Sequence, residues 1–166
     1  SQVLMRWGDW VLPGAPPFDP HHQTASAQKQ QFGYNNDFIS FMPLPRGSQN
    51  SDHGLLCVNH EFTNPELMFP GITVGDRVCR INREQADIEL AAHGHSVIEI
   101  QRKADGSWIQ VTGSLYNRRI TALDTLMVLA GPAAGHARLR TSQDLTGRYV
   151  TGSLNNCSGG VTPWGT

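Results

Sequence analysis

The chain has 166 residues, of which 16% are charged, and its formal net charge at neutral pH is −1. A net charge this small gives no long-range attraction to polyanions, and no cluster of Lys and Arg alternates with aromatic residues, so the composition disfavours nucleic-acid binding. No apolar run is long enough to span a bilayer, and no charged segment followed by an apolar one opens the chain, so we expect neither a membrane span nor a signal peptide within these residues.

The composition indicates a loop-rich chain with little solvating surface. It contains 17 glycines and 10 prolines, and its charged fraction is well below the roughly 25% of typical soluble domains. This balance fits a segment whose faces are covered by further polypeptide. The cysteines are Cys57, Cys79 and Cys157. They cannot all pair with one another, and without a C-x-x-C pattern a zinc ribbon or a thioredoxin-like motif is excluded.

The N-terminal segment, residues 1–31, contains several prolines and little periodicity, which predicts an extended arm packed onto the surface through its apolar residues. Within it, Thr24–Gln31 predicts a short helix capped by Thr24. His21 and His22 are adjacent, and neighbouring positions diverge on any regular element, so a joint role as metal ligands is disfavoured.

Polar residues interrupt the next segment, Phe32–Leu44, whose apolar and aromatic residues predict a strand entering the core. The insert is Asn35-Asn36-Asp37. Amide and carboxylate oxygens are ligands that suit calcium. An Asx turn, in which the same side chains bond to their own backbone, is the alternative.

A second group of polar residues follows the continuous apolar run Gly54–Val58, which predicts a strand buried on both faces. The strand delivers Asn59, His60 and Glu61 at its C-terminal end. Glu61 is either solvated at a sheet edge or directed into a metal site. His60 is the weaker metal candidate, because a histidine beside a core strand is more often structural.

The middle of the chain predicts a helix followed by a hairpin. Asn82 with Gln85 forms a capping-box pattern, the helix covers about 83–92, and Gly94 stands at the C′ position. A β-hairpin over 96–111 turns at Ala104-Asp105-Gly106. Such hairpins are the repeating unit of propeller blades. His93 and His95 flank the entrance of the first strand, but two histidines without further partners do not make a zinc site.

Two adjacent arginines follow, Arg118 and Arg119. A guanidinium can hold a phosphate with two parallel hydrogen bonds. The alternative, which the residue types favour, is that these side chains tie a loop to carboxylates.

Two short apolar strands are predicted at Leu126–Ala130 and Tyr149–Leu154, the second leading into Asn155-Asn156-Cys157-Ser158-Gly159-Gly160. The glycine pair predicts positive φ angles or close backbone approach to another group. A thiolate at Cys157 can act as metal ligand or nucleophile. A turn that contains a small buried cysteine is the alternative.

Six blocks of the sequence, in order from about Trp7 to the last residue, resemble the PhoX-type alkaline phosphatase family. They are FGYNNDFISFMPL (Phe32–Leu44), VNHEF (Val58–Phe62), AAHGHSVIEI (Ala91–Ile100), YNRRIT (Tyr116–Thr121), GPAAGH (Gly131–His136) and LNNCSGGVTPWGT (Leu154–Thr166). The resemblance implies a secreted or periplasmic phosphatase that hydrolyses phosphomonoesters at an iron and calcium cluster. An export signal of the twin-arginine type is then expected upstream.

The resemblance also implies roles for particular residues. Cys157 matches the cysteine that ligates iron, and Asn36, Asp37 and Glu61 are the calcium candidates. Arg118 and Arg119 remain the candidates for phosphate binding, and no general acid or base is assigned.

The implied fold is mainly β with short helices, as part of a β-propeller. On this view residues 1–166 form a single segment of about one to two blades with an N-terminal arm and a helical insertion. In the family, the final motif continues into a Cys-Glu-Glu stretch with further ligands, so we expect this segment to need the remainder of a parent chain and to be inactive alone. Two other classes stay open: a non-catalytic calcium-binding segment and an interaction module.

Overall fold

A computed structural model describes residues 1–76 and 80–165, and Cys79 lies outside them. The described residues form mainly β structure with few short helices, as predicted, and they close into neither a barrel nor a propeller. The helices are α1 (Ala25–Gln28), α2 (Pro65–Met68) and α3 (Arg83–Ala92). The strands are β1 (Asn36–Pro43), β2 (His53–His60), β3 (Gly94–Arg102), β4 (Trp108–Gln110), β5 (Arg118–Ile120), β6 (Leu126–Val128) and β7 (Tyr149–Thr151).

The main sheet is antiparallel, with strands in the order β1-β2-β3-β4, and β5 also pairs with β3. β4 pairs with the C-terminal part of β3 and β5 with its N-terminal part, so these two short strands follow one another along one edge. In the β2–β3 ladder, Asn59 is the partner of His95 and Val58 that of Ser96. Because successive side chains alternate between faces, Asn59 and His95 share one face while His60 and Ser96 share the other.

The hydrophobic core lies on the second of these faces. Its fully buried members include Val11 of the N-terminal arm, Phe32, Val58 and Ile98. Within the arm, an antiparallel bridge joins Trp10 to Gln31. The arm is therefore packed onto the sheet rather than free.

β2 differs from the prediction of a strand buried on both faces. Gly54, Val58, Asn59 and His60 are buried, whereas residues 55–57 are only half-buried. The core covers one face of β2, and the opposite face is only partly covered by the described residues. A continuous apolar run therefore did not indicate two-sided burial here.

Helix α3 occupies the range that the sequence predicts, and its N-terminus has the full capping box. Asn82 accepts from the Gln85 backbone N–H, and the Gln85 side chain accepts from the Asn82 backbone N–H. Gly94 follows the C-cap with φ +100°. A side chain there would collide with the Ile120 carbonyl, so glycine is required. None of the helices in residues 1–76 and 80–165 has the length and apolar character needed to cross a bilayer.

The predicted strands near the C-terminus are shorter than expected. β6 and β7 form a separate two-stranded sheet whose residues are all exposed. β5 was not predicted as a strand at all, because three residues that include two arginines carry no apolar alternation. The short helix α1 has the predicted cap, with Thr24 accepting from the Ala27 backbone N–H at 3.1 Å.

Candidate functional site

The start of β1 and the end of β2 meet at one edge of the main sheet. Asn36 is the register partner of His60, and the Glu61 backbone N–H donates to the Asn35 carbonyl at 3.0 Å. Asn35 has φ +49°, and the register shifts between Asn36 and Ile39. A left-handed residue and an irregularity in the ladder re-aim the neighbouring side chains, and such features concentrate next to functional sites.

The carboxyl groups of Asp37 and Glu61 lie next to each other at this edge and interact electrostatically. The pKa of Glu61 is raised, first by partial loss of hydration, then because protonated Glu61 can donate a hydrogen bond to the Asp37 carboxylate, and finally by the negative charge of Asp37. Two carboxylates this close cannot both be ionised at low cost unless a proton or a cation lies between them. The donor set consists of hard oxygen atoms, which fits a calcium ion.

The segment that carries Cys157 lies beside the same edge. The Phe38 backbone N–H donates to the Cys157 carbonyl at 3.3 Å. The Cys157 side chain is exposed, which contradicts the alternative of a small buried cysteine in a turn. Phe38, near the start of β1, and the loop that carries the sulfur are therefore neighbours, although they are far apart in the sequence.

The glycine pair after Cys157 was predicted to need positive φ or close approach, and only the second applies. The positive φ in this loop belongs to Asn155, at +55°, and neither Gly159 nor Gly160 is in that region. Gly159 lies against the Phe38 ring, where a Cβ atom has no room, while Gly160 faces open space.

Two asparagine side chains attach this loop to the main sheet. Asn59 Nδ2 donates to the Ser158 carbonyl at 3.1 Å, and Asn156 Nδ2 donates to the Gly94 carbonyl at 3.1 Å. The Asn59 carbonyl oxygen lies 2.8 Å from His95 Nδ1. The sequence did not predict these contacts of Asn59, whose amide was considered only as a possible contributor to a calcium site together with Glu61; its place in the motif beside His60 and Glu61 was the available indication.

The two adjacent arginines have opposite environments. Arg119 is buried and donates to the carbonyls of Ala91 (2.7 Å), His93 (3.0 Å) and His95 (3.0 Å), and also to Ser96 Oγ at 3.2 Å. Burial lowers the pKa of Arg119 to about 9, which leaves the guanidinium charged at neutral pH. The expectation that these arginines bind carboxylates is wrong for Arg119, because its acceptors are backbone carbonyls and one hydroxyl.

Arg118 points away from that interior and is exposed. Its Nε donates to the Tyr116 carbonyl at 3.2 Å. It lies near His95, since the positive charge of Arg118 contributes to lowering the pKa of that histidine, after burial and Arg119. Arg118 therefore carries its charge on the same side of the sheet as His95 and Asn59.

Three other histidines considered as metal ligands have partners within the protein. His60 is fully buried, with Nε2 2.7 Å from Ser96 Oγ and 3.3 Å from the Gly33 N–H donor, and burial lowers its pKa well below the ordinary value. His93 Nδ1 lies 2.7 Å from the Glu89 carbonyl. His21 and His22 are exposed, and His22 Nδ1 lies 2.8 Å from Asp19.

Across residues 1–76 and 80–165, no three or more His, Cys, Asp or Glu side chains are grouped closely enough to hold a metal ion. The carboxylate pair and the exposed thiol are therefore two separate sets of donors at one edge of the sheet. Any cation bound by either set takes its other ligands from amides, backbone carbonyls, water or further polypeptide.

Comparison with known proteins identifies the family. The sequence model described as alkaline phosphatase PhoX matches residues 1–166. The chain belongs to the PhoX family. No curated protein matches it.

One solved PhoX structure is similar to this chain. It is Pseudomonas fluorescens PhoX in complex with vanadate, described as a transition state analogue, and it shares 40% sequence identity at a TM-score of 0.84. The match covers 98% of this chain and 27% of the Pseudomonas protein. The chain thus spans about a quarter of the length of the PhoX structure that it matches.

Proposed function

We propose that this chain supplies one part of the metal and phosphate site of a PhoX alkaline phosphatase that hydrolyses phosphomonoesters. The observation that carries the proposal is the meeting of the Asp37–Glu61 carboxylate pair and the Cys157 loop at one edge of the main sheet. Membership of an alkaline phosphatase family gives the reaction class. The vanadate bound to the Pseudomonas relative is a phosphate mimic, which agrees with that class.

Asp37 and Glu61 are proposed as calcium ligands, with Asn36 as the adjacent amide. Their pairing leaves negative charge concentrated at one point, and a divalent cation would relieve the repulsion that raises the pKa of Glu61. Calcium accepts six to eight oxygen ligands, so carbonyls, waters and further carboxylates complete such a site.

Cys157 is proposed as an iron ligand. A thiolate is a soft anionic ligand that suits iron, and the exposed position of Cys157 leaves its sulfur accessible to a cation. Bound cations would neutralise phosphate oxygens as charge develops in the reaction. Arg118 is the better placed of the two proposed phosphate ligands, since its guanidinium is exposed while that of Arg119 is held by three carbonyls.

We further propose that the segment is inactive by itself, that it forms one to two blades of a propeller, and that the parent enzyme is secreted or periplasmic. The match to only 27% of the Pseudomonas chain supports the first point, because most of that protein has no counterpart in these residues. The hairpin of β3 and β4 within an antiparallel sheet agrees with the second.

Metal titration of the purified chain tests the ligand assignments. Calcium binding measured by calorimetry should weaken at least tenfold in Asp37→Asn and in Glu61→Gln. Asp105→Asn is the matched control, because Asp105 bonds within its own turn to Ser107. Equal affinity in all four proteins would refute the calcium site.

Iron is followed separately through the visible absorption of a thiolate–iron bond. The band should be present in the wild type and in Cys57→Ala, whose thiol is half-buried, and absent in Cys157→Ala. A chimera in which this chain replaces the equivalent part of Pseudomonas fluorescens PhoX tests the activity. Phosphatase turnover in the chimera and none in the isolated chain is the expected result, while turnover by the isolated chain would refute the proposed incompleteness.

A structural calcium site without catalysis is the second candidate, favoured by the absence of a third acidic or thiol ligand near the pair within the described residues. In that case the chain binds calcium but no iron, and Cys157→Ala leaves the chimera fully active.

A further inference from the structure

The loop around Cys157, residues 155–159, has no helix or strand of its own. The last strand before it, β7, ends at Thr151, and no regular element follows within the described residues. Within residues 1–76 and 80–165, this loop is joined to the sheet by the hydrogen bonds from the Asn59 and Asn156 side chains and from the Phe38 backbone. The position of the Cys157 sulfur therefore depends on a small number of contacts.

Asn59 is oriented by His95. An asparagine amide can present either its oxygen or its NH2 group to a neighbour, and the hydrogen-bond network decides which. Asn59 and His95 are directly opposite each other in the β2–β3 ladder, and the Asn59 side chain is almost completely buried. With His95 Nδ1–H donating to Asn59 Oδ1, the Asn59 NH2 group is left to donate to the Ser158 carbonyl.

His95 is in turn held by Arg119. The buried guanidinium donates to the carbonyls of His93 and His95 and to Ser96 Oγ, so it fixes the backbone on both sides of the imidazole. Imidazole carries a hydrogen on Nδ1 in the cation and in one neutral tautomer, and the bond to Asn59 selects that tautomer. The same backbone stretch offers the Gly94 carbonyl to Asn156.

We propose that Asn59, oriented by His95, and Asn156 are positioning residues that hold the Cys157 loop against the start of β1, so that the thiol and the Asp37–Glu61 pair face one site. Arg119 supports them from the core. The identity of the cation at Cys157 rests on the proposed function, whereas the attachment of the loop does not. None of these residues is a proposed metal ligand.

Amide hydrogen exchange at Phe38, measured by NMR, tests the attachment without any metal. The Phe38 N–H donates to the Cys157 carbonyl, so its exchange rate reports whether the loop is docked. Asn59→Asp retains the acceptor for His95 but removes the donor to Ser158. We expect it to raise the Phe38 exchange rate about three- to tenfold.

Asn117→Asp is the matched control. Asn117 is as buried as Asn59, at 8% exposure against 9%, and it bonds to Glu99 and Val111 at the other end of β3. With the amide of Ile98, in the core, as internal reference, this variant should leave the exchange rate at Phe38 unchanged. His95→Asn keeps a donor near the Nδ1 position and should retain most of the protection of the Phe38 N–H from exchange. His95→Phe should lose that protection. Equal Phe38 exchange in Asn59→Asp and the wild type overturns the proposal.

A glycine pair gives a second test that does not alter the network. Gly159→Ala places a methyl group against the Phe38 ring and should raise the exchange rate at Phe38, while Gly160→Ala faces open space and should not. This comparison remains informative if an Asn59 variant fails to fold. Equal rates in these two variants contradict docking of the loop on Phe38.

Iron absorption in the same variants separates this inference from the proposed function. A thiolate–iron band that is weaker in Asn59→Asp but retained in the separate variant His95→Asn supports positioning of the metal ligand. If no protein shows the thiolate–iron band but Asn59→Asp alters Phe38 exchange, the iron assignment is refuted and the proposed attachment of the Cys157 loop is supported. A band in the wild type that Asn59→Asp does not change overturns the positioning role.

Discussion

The main sheet and the β6–β7 hairpin are built from similar apolar strands, yet only the first contains a core. Ile98 of β3 is fully buried and Val58 of β2 is 1% exposed, whereas Leu126 and Val128 of β6 are 67% and 71% exposed. The main sheet has the N-terminal arm packed against it through Val11 and its apolar neighbours. The hairpin has two strands and exposes both faces.

The difference shows that an apolar strand pattern indicates what a strand can bury, and not what lies against it in this chain. A two-stranded hairpin alone buries too little surface to be stable independently. The Asn59, His95 and Arg119 network belongs to the main sheet, so the proposed site is anchored in the part of the molecule with its own core.

The largest expected effect is the loss of core packing. Ile98→Ala should lower the free energy of unfolding by about 2–5 kcal/mol, because it removes buried methyl groups and leaves a cavity. Val128→Ala, on the exposed hairpin, should change it by less than about 0.5 kcal/mol. Equilibrium urea unfolding measures both. A similar loss in the two variants would mean that the hairpin is covered in solution.

The two arginines of β5 extend the comparison to opposite faces of one strand. Arg119→Met should cost roughly 1–3 kcal/mol, because buried carbonyls of the α3–β3 junction lose their donor. Arg118→Met should cost less than about 0.5 kcal/mol, since Arg118 is exposed. Urea unfolding at neutral pH is the measurement; a larger loss of stability for Arg118→Met contradicts the assignment.

The third prediction concerns helix caps in the region around the main sheet. Asn82→Ala should lower the free energy of unfolding by about 0.5–2 kcal/mol, because it removes the capping box of α3. Asn64 stands at the same position of α2 but makes no side-chain bond to the helix backbone, so Asn64→Ala should cost less. Thermal unfolding followed by circular dichroism compares the two, and an equal cost would show that α3 is held by packing alone.

The smallest effect is expected at the solvent-accessible edge. Because the native pKa of Glu61 is raised, the native state binds a proton more tightly than the unfolded chain. Without calcium, the free energy of unfolding should therefore fall as pH rises from the ordinary glutamate pKa through the raised native value.

Glu61→Gln should remove most of that fall, and calcium should oppose it in the wild type. Urea unfolding at several pH values between 4 and 7 measures the slope of the free energy of unfolding against pH. Identical slopes for the wild type and Glu61→Gln without calcium would argue against the carboxylate pair.

Much of the local structure could be read from the sequence. The capping pattern at Asn82 and Gln85 and the hairpin of β3 and β4 depend on interactions between residues a few positions apart. The short strand β5 and the limits of β6 and β7 were missed, since three-residue strands exist only through their partners.

The candidate site was also only partly predictable from the sequence. From the residues alone, Asp37, Glu61 and Cys157 were chemically suitable ligands, and the motifs around them led to the correct family. The sequence could not indicate that Arg119 turns inward to three carbonyls while Arg118 remains exposed. It also could not indicate which of Gly159 and Gly160 needs to be glycine.

The sequence by itself determined the family, the mainly β class and the local caps and turns, because short-range geometry and residue chemistry decide them. Only the tertiary structure decided that Asn59 faces His95 across two strands and reaches Ser158, 99 positions later. Such contacts depend on strand register and on the path of a loop, and register is set by the burial of a whole sheet face rather than by any one residue.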